Sequence, residues 1–287
     1  MNKGIQFFID EDDHYGPCLA LCGEWSSGLA SVIEKEGVRS LRLSFSNGWK
    51  GDNIVFLNEV PSSVTGFEIY SWKVADLSPL IDRKGVERLA FQVELKRVFD
   101  FGFLPILKTL KFVHSAKTKN LQGCHRLEHL NVMGYPDEDF GLLAAMQSLE
   151  RLQVSSRKLR CLDGIPNLKK LRIIDFAECP NLVNLAGIEQ VKTLEEIEIA
   201  DCNAIKSLPC LSSLERLKSL IVENCGTLKS ISFLNAHKAL ERVLIIGNTQ
   251  IADGDLTPLK TLPNLCDVRV AEGDYNLEPD EVSALRR

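Results

Sequence analysis

The sequence predicts an α/β solenoid, and two observations lead to that fold class. The pattern apolar-x-x-apolar-x-apolar recurs along most of the 287 residues, and successive copies begin 19 to 26 residues apart. The last two apolar positions are two residues apart, so they share one side of a short strand. A single copy cannot bury these side chains. Stacked copies can, and they then form a parallel sheet over a continuous core.

Eleven copies of the pattern are present, and each is identified by its three apolar positions. They are Val38-Leu41-Leu43, Val64-Phe67-Ile69, Val86-Leu89-Phe91, Leu107-Leu110-Phe112, Leu127-Leu130-Val132, Leu149-Leu152-Val154, Leu168-Leu171-Ile173, Leu194-Ile197-Ile199, Leu217-Leu220-Val222, Leu240-Val243-Ile245 and Leu265-Val268-Val270. One match arises easily by chance, but eleven in succession are strong evidence for a repeat protein.

The segments between the copies must return along the other side of the sheet. Residues 141–148 favour a short helix, and residues 77–81 and 256–262 favour 3₁₀ or helical turns with a proline near the start. We therefore expect mostly turns and brief helices on that side. The uneven spacing of the copies fits this expectation, because inserted residues can bulge outward there.

From about Val38 to Ala271 the chain resembles the leucine-rich-repeat superfamily. The residues that strengthen the resemblance in the later copies are Cys202, Cys225, Asn203, Asn224 and Asn248, near the place where the family has an Asn or Cys. The resemblance implies a ladder of these side chains bonding backbone groups. It also implies a horseshoe with about eleven parallel strands on the concave face and short helices or 3₁₀ turns on the convex face.

The two ends of the chain do not fit the repeat. Residues 1–37 are expected to form an N-terminal cap, with a hairpin that starts near residues 5–9 and a helix near residues 29–33. Residues 38–271 form the repeat domain in this interpretation. Residues 272–287 form a C-terminal cap, whose short helix begins at Glu278. Such caps cover the open ends of the core.

Composition limits where the chain works and what it binds. Neither a signal peptide nor an apolar run of about 20 residues is recognised, so we expect a cytoplasmic protein with no membrane partner. The nine cysteines are an odd number, which favours reduced thiols. A net charge of −5 argues against nucleic acid and fits a basic protein partner. A monomer is expected before the partner binds.

The candidate chemical sites are weak, so we predict no enzyme activity, metal or cofactor. Cys124, His125 and His129 match no common zinc spacing. Glu196 and Glu198 share a strand face, but a flat sheet without a histidine partner is a poor acid–base site. The acidic run from Asp10 to Asp13 lacks the glycine and distal glutamate of a calcium loop.

The strand positions between the core residues are expected to form the binding face. In the first seven copies these positions are mostly basic: Arg42, Arg88, Lys111, Arg151, Lys170 and Arg172, with His129, Tyr70 and Met133 beside them. Later copies are more acidic, through Glu196, Glu198, Glu223 and Asp267, although Arg242 and Arg269 are also present. The residues predicted to bind the partner are Glu196, Glu198, Ile221, Glu223, Leu244, Ile246, Arg172, Arg151 and Tyr70.

Two plainer interpretations of this face remain open. A solvated sheet face can carry charges of both signs without binding anything, and a loop or the C-terminal tail can cover Ile221, Leu244 and Ile246. Trp49 and Trp72 follow the first two strands and either add a contact edge or fill the irregular early copies. Three outward apolar side chains on neighbouring strands nevertheless favour a contact surface.

The leading functional hypothesis is a module that captures and blocks one partner protein. The chain resembles stand-alone repeat proteins of bacterial type, some of which are immunity proteins against toxins, and an acidic face would suit a basic nuclease toxin. The alternative is a recognition arm or substrate adaptor of a larger assembly, such as a defence sensor or a ubiquitin-ligase complex. Nucleic-acid binding through the basic half of the face is a third hypothesis, and catalysis is the last.

Overall fold

The structure is a computed structural model, and it describes residues 6–11 and 16–286. Residue 5 and the acidic residues 12 and 13 of the sequence analysis lie outside the described residues. The chain forms two compact units, Met1–His129 and Leu130–Arg287. Each contains the repeated strand and return segment that the sequence predicts.

The first unit begins with an antiparallel hairpin of β1 (Phe7–Asp10) and β2 (Cys18–Leu21). Helix α1 (Gly28–Lys35) follows and buries Leu29 and Ile33. Strand β2 then pairs in parallel with β3, and the parallel order continues to β6. These strands are β3 (Ser40–Ser44), β4 (Gly66–Tyr70), β5 (Arg88–Gln92) and β6 (Thr109–Val113). The predicted hairpin and helix of the cap are therefore both present.

The second unit continues the pattern with one strand in each copy. Its strands are β7 (His129–Met133, which begins one residue before the unit), β8 (Arg151–Ser155), β9 (Ile173–Ala177), β10 (Glu196–Ala200), β11 (Ser219–Glu223), β12 (Arg242–Ile246) and β13 (Asp267–Val270). From β8 onward each pairs in parallel with the next. Ten of the eleven sequence copies thus contain one of the strands β3 to β13 in the predicted register, and in the seventh copy the strand begins later than predicted.

Short 3₁₀ helices and turns dominate the return segments, as expected. The 3₁₀ helices are Phe45–Asn47, Val55–Glu59, Ser78–Leu80, Phe101–Phe103, Leu121–Gly123, Gly141–Leu143, Ile165–Asn167, Ile188–Gln190, Pro209–Ser213 and Ser232–Ala236. Two α-helices follow, α2 (Thr257–Lys260) and the closing α3 (Pro279–Ser283). The helix predicted over residues 141–148 is only one 3₁₀ turn, Gly141–Leu143.

The core lies on the side of each strand that carries its second and fourth residues. In β10 these are Ile197 and Ile199, which are fully buried, while Glu196 and Glu198 project to the opposite side. Leu194 enters the same core from the preceding turn. Each such side chain contributes about 1.5–3 kcal/mol on burial. We call the opposite side of the sheet the outward face.

The seventh copy has a different register from the one that the sequence predicts. Its buried residues are Leu171, Ile174 and Phe176, and Ile173 is half-exposed at the first position of β9. Leu168 is also buried, but it belongs to the 3₁₀ turn before the strand. The run Leu168–Phe176 is apolar at both spacings, so the pattern alone allowed either register. When Leu171 is taken as the first apolar position of the seventh copy, the spacings to the sixth and eighth copies become nearly equal.

A column of buried thiols supports the turns after β9, β10 and β11. The Sγ atoms of Cys179, Cys202 and Cys225 donate to carbonyls of the strand behind them, at 3.9 Å, 3.7 Å and 3.4 Å. Thr249 takes the same place in the next copy and donates to Val222 at 3.4 Å. The ladder predicted at Cys202 and Cys225 is therefore present, and it is longer than predicted.

Candidate functional site

On the outward face of the second unit, side-chain hydrogen bonds link the third residues of neighbouring strands. Nδ2 of Asn131 donates to Oε1 of Gln153 at 2.9 Å, and Nε2 of Gln153 donates to Oδ2 of Asp175 at 3.0 Å. These residues occupy the third positions of β7, β8 and β9. The chain of amides holds the Asp175 carboxylate at a fixed place, directly beside Glu198 of β10.

Seven outward side chains on β9 to β12 form the surface that we call the acidic–apolar patch. Glu198 pairs in register with Ile221, and Ile221 pairs with Leu244. Glu223 pairs with Ile246 at the ends of β11 and β12. The patch consists of Asp175, Glu196, Glu198, Ile221, Glu223, Leu244 and Ile246. Six of these seven are predicted binding residues, and the structure brings the six together on three neighbouring strands.

The carboxylates of the patch repel one another in a partly desolvated setting. Burial raises the pKa of Glu198, and the negative charges of Asp175, Glu223 and Glu196 raise it further. Burial also raises the pKa of Asp175, against the hydrogen bond from Gln153. Within the described part of the chain, no lysine or arginine forms a salt bridge with Glu196, Glu198 or Glu223. Glu196, Glu198 and Glu223 therefore carry negative charge that no salt bridge of the described residues neutralises, while the positive charge of Arg151 lowers the pKa of Asp175.

Asp175 is a patch residue that the sequence pattern did not predict. The shifted register of the seventh copy hid it, because Asp175 reaches the third strand position only when Ile174 and Phe176 are the core residues. A signal was present in the sequence. Cys179, Cys202 and Cys225 are evenly spaced, and that spacing fixes the register of the seventh copy.

Two basic residues predicted on this face lie elsewhere. Arg172 and Lys170 precede β9, so neither is at a strand position. The guanidinium of Arg172 binds Glu195 through two hydrogen bonds, at 3.0 Å and 3.1 Å, and Lys218 reaches the same carboxylate at 3.2 Å. Arg172 and Lys218 lower the pKa of Glu195 to about 2. Arg151 does lie on the face, exposed at the first position of β8.

The outward face of the first unit carries less unpaired positive charge than the sequence predicts. The guanidinium of Arg42 forms salt bridges with Glu68 at 2.8 Å and with Asp10 at 2.7 Å. Glu68 occupies the third position of β4, an outward site that the sequence analysis overlooked. Arg88 contacts the hydroxyl of Ser40, and Lys111 is exposed on β6. Pairing across neighbouring strands therefore neutralises part of the predicted positive charge.

Tyr70 belongs to a different place from the acidic–apolar patch. It lines an open cavity of about 610 Å³ in the first unit, at the carboxyl ends of β3 to β6. Trp72 stands at this cavity with 64% of its surface exposed, whereas Trp49 is 3% exposed and fills the core. Trp49 therefore fills the early copies, whereas Trp72 is exposed at the cavity and a contact role for it stays a prediction.

The described residues contain no group of three or more His, Cys, Asp or Glu side chains arranged to hold a metal ion. Cys124 is buried, which raises the pKa of its thiol to about 12, and its Sγ lies 3.8 Å from the carbonyl oxygen of Phe101. A thiol with so high a pKa is a poor nucleophile and a poor ligand near neutral pH. None of the helices in the described residues has the length and apolar character that a membrane crossing requires.

Comparisons with known proteins agree with this architecture. The family described as R13L1/DRL21 LRRs matches residues 107–225. An internalin (inlF) from Listeria monocytogenes is similar in structure, with a TM-score of 0.66 and 17% identity over 92% of this chain and 75% of the internalin chain. A leucine-rich-repeat protein from Leptospira interrogans has a TM-score of 0.67 and 16% identity over 91% of this chain and 67% of that one.

A structure of PEPR1 with AtPEP1 is a third similar fold. It has a TM-score of 0.54 and 14% identity, and the match covers 91% of this chain but only 45% of the other. Comparison with curated proteins gives no match. At these identities the structural similarities establish the fold, and the binding surface has to be argued from the residues of this chain.

Proposed function

The chain is a leucine-rich-repeat protein, and on that premise we propose that it is a protein-binding module whose acidic–apolar patch contacts a basic surface of its partner. The proposal rests on one observation. Several carboxylates crowd a half-buried face, with no lysine or arginine of the described chain bridging Glu196, Glu198 or Glu223. Water screens this repulsion only partly on a half-buried face. A lysine or arginine from a partner would relieve it.

The apolar half of the patch supports the same proposal. Ile221, Leu244 and Ile246 project outward on two adjacent strands and are only partly covered. The C-terminal segment packs at the end of the stack instead, where Arg286 donates to the carbonyl of Val268 at 3.2 Å. A patch that joins branched apolar side chains to charges suits the centre of an interface, where side chains become fully desolvated.

The patch is smaller than a complete interface. Four strands about 4.8 Å apart give it a width of about 14 Å, whereas a stable complex buries about 800 Å² on each partner. Neighbouring outward residues, including Arg151, Arg242 and Arg269, would form the polar rim. The rim then sets the register of the partner and the patch provides most of the affinity.

The finer form of the proposal is an inhibitor that captures its partner and blocks the partner's activity. Immunity against a toxin such as a basic nuclease is the specific case that we put forward. An acidic face would speed association with such an enzyme and cover the basic site where the enzyme holds nucleic acid. We propose that the chain carries out no catalytic step of its own, and that it is cytoplasmic and monomeric before it binds.

A recognition arm or substrate adaptor is the alternative, and the captured partner would distinguish the two. An inhibitor abolishes the partner's activity at equal concentration. An adaptor leaves that activity intact and brings the partner to a third protein. A partner enzyme is therefore assayed with and without one equivalent of the chain once it has been identified.

The experiment is affinity capture from lysate of the source organism, with three baits compared side by side. The first bait is the wild-type chain. The second carries Glu196→Lys, Glu198→Lys and Ile246→Asp, which reverse the charge of the patch and break its apolar half. The third is a matched control with Asp137→Lys, Glu215→Lys and Val183→Asp. These three residues are exposed and lie outside the patch.

The proposal expects one protein in stoichiometric amount on the wild-type and control baits, and its loss from the patch variant. The captured protein should have a basic surface, and its affinity should fall as salt increases. Equal capture by all three baits would show that the patch is not the site. Inhibition of a captured nuclease by the chain would support immunity, and an unchanged activity would contradict it.

A further inference from the structure

The second surface with a ligand-binding character is the cavity in the first unit. Its volume of about 610 Å³ is within the range of known binding sites. It opens where four parallel strands end, and the strand residues at its wall are Ser44, Tyr70, Gln92 and Val113. It shares no residue with the acidic–apolar patch.

Aromatic rings form the rim of this cavity. The ring centroids of Phe45 and Trp72 are 3.8 Å apart and their planes are tilted by 45°. Phe45 is 39% exposed and Trp72 is 64% exposed. The half-buried ring of Tyr70 lies at the end of β4, two residues before Trp72. Large apolar rings held side by side in water are typical of contact sites, because their exposure stabilises nothing in the free protein.

The polar groups around the rings include several hydrogen-bond donors. The hydroxyl oxygens of Ser71 and Ser115 accept backbone N–H groups of Lys73 and Lys117, each at 3.2 Å, so their own protons remain to be donated. The indole N–H of Trp72, the phenol of Tyr70 and the amide of Gln92 add further donors. In the described part of the chain these three side-chain groups form no hydrogen bond.

The charge of the cavity is set by Glu94. Its carboxylate is exposed at the wall, and none of the described residues that line the cavity is a lysine or an arginine. A phosphate or carboxylate ligand would therefore meet no positive charge. A ligand with apolar rings, free carbonyl oxygens and a neighbouring cation would complement the aromatic rings, the donors and the Glu94 carboxylate of the cavity.

We propose that this cavity binds a proline-rich segment of a partner protein in the polyproline II conformation. That helix has no internal hydrogen bonds, so its carbonyls need external donors. Its rigid pyrrolidine rings pack on exposed aromatic side chains and lose little entropy in doing so. An arginine or lysine beside the prolines pairs with Glu94. The proposal adds a second site to the protein-binding function, and it can fail or succeed independently of the patch.

The dimensions of the cavity set the length of the bound segment. From β3 to β6 the wall crosses three gaps of about 4.8 Å, or about 14 Å in total. A polyproline II helix rises about 3.1 Å per residue, so about five residues span the cavity. The site should therefore recognise a short linear segment, and longer peptides should gain little affinity beyond that length.

The test is a titration of the full chain with a fluorescein-labelled peptide of about seven prolines flanked by arginines. A glycine–serine peptide of equal length and charge is the control ligand. Fluorescence polarisation reports binding. The variant Trp72→Ala removes the most exposed ring, and Phe103→Ala is the matched control, since Phe103 is 51% exposed and outside the cavity. Thermal melting checks that both variants fold.

The proposal expects the proline peptide to bind and the glycine–serine peptide not to bind. Trp72→Ala should weaken binding about tenfold or more, and Phe103→Ala should leave it unchanged. Absence of binding up to about 1 mM, equal binding of both peptides, or full binding by Trp72→Ala would each overturn the proposal. None of these results depends on Glu198 or its neighbours, so the patch is tested separately.

Discussion

Glu198 lies directly opposite Asp175 on the adjacent parallel strand, and both carboxylates project from the outward face. Like charges at directly opposed positions of a sheet destabilise it. Gln153 holds Asp175 in place through a 3.0 Å hydrogen bond, so Asp175 cannot turn away freely. The folded chain therefore retains a repulsion that a simple neutral substitution would remove.

The first prediction concerns the stability cost of this pair. Because the pKa of Glu198 is raised by folding, its charged form destabilises the native state, and that cost is present at neutral pH and disappears as the carboxylate protonates. Glu198→Gln should raise the Tm at pH 7 by about 1–2 °C and have a smaller effect at pH 4. Glu215→Gln is the exposed control and should change little. A lower Tm for Glu198→Gln at pH 7 would contradict the repulsion.

The second prediction is a loss of stability in mild acid through His237. The imidazole is 1% exposed, and burial lowers its pKa below the ordinary value of 6.5, although the backbone carbonyls of Leu211 and Leu214 favour the protonated ring. The unfolded chain takes up the proton first as pH falls, so the stability due to neutral His237 is complete above pH 6.5 and decreases below it.

The comparison that tests this is chemical unfolding at pH 7 and pH 5 of the wild type and His237→Leu. The wild type should lose more free energy of unfolding between the two pH values than the variant does. If the pKa in the native state is lower by one pH unit, the free energy of unfolding falls by about 1.4 kcal/mol once the pH is below the pKa in both states. Identical pH profiles for the two proteins would rule out His237 as the titrating group.

The third prediction concerns Arg83, which joins the turn before β4 to the following copy. Its guanidinium donates to the carbonyls of Leu57, Val60, Pro61 and Val64 at 2.7–3.3 Å, and its Cζ lies 5.1 Å from the centroid of the Phe67 ring. Arg83→Met should cost about 2–4 kcal/mol, because several carbonyls lose a charged donor. Arg83→Lys should recover little of that loss, since one ammonium lacks the planar fork. Near-wild-type unfolding of Arg83→Met would contradict this role.

The fourth prediction concerns a column of left-handed backbone positions after β9 to β12. Glu178, Asp201, Asn224 and Gly247 have φ values of 52°, 55°, 51° and 67°. This conformation costs a residue with a Cβ about 1–2 kcal/mol, and it costs Asn least. Glu178→Gly should therefore raise the free energy of unfolding by about 0.5–1 kcal/mol.

The reverse change provides the control for that column. A Cβ on Gly247 would clash with Oδ1 of Asn224, so Gly247→Ala should destabilise the protein. Thermal unfolding of both variants measures the two effects. A stabilising Gly247→Ala together with a destabilising Glu178→Gly would show that the backbone strain has been assigned wrongly.

Most of the repeat architecture could be predicted from the sequence, because each copy repeats the same local requirement for burial. Periodicity located ten of the eleven strands in register and placed the seventh three residues too early, and the resemblance placed Cys202 and Cys225 in the ladder. The seventh copy failed because Leu168 and Leu171 are both apolar and both buried. The pattern of a single copy cannot choose between two registers that bury equally well. The even spacing of Cys179, Cys202 and Cys225 in neighbouring copies does distinguish the two registers.

The binding surfaces were harder to predict, since they depend on which side chains meet across strands. Glu198 and Ile221 could be placed from alternation alone. The pairing of Arg42 with Glu68 could not, because it requires the register of β3 and β4. The aromatic cavity was equally hidden, since Phe45 and Trp72 meet only when their two loops are folded side by side.

The role of the patch in binding is measured by the affinity of the captured partner for Glu198→Gln compared with the wild type. If the carboxylate of Glu198 binds a basic partner, this substitution should weaken binding about tenfold, or about 1.4 kcal/mol, while it raises the Tm. Calorimetric titration of both proteins gives the two dissociation constants. An unchanged affinity would contradict the account and leave the repulsion between Glu198 and Asp175 without a binding role.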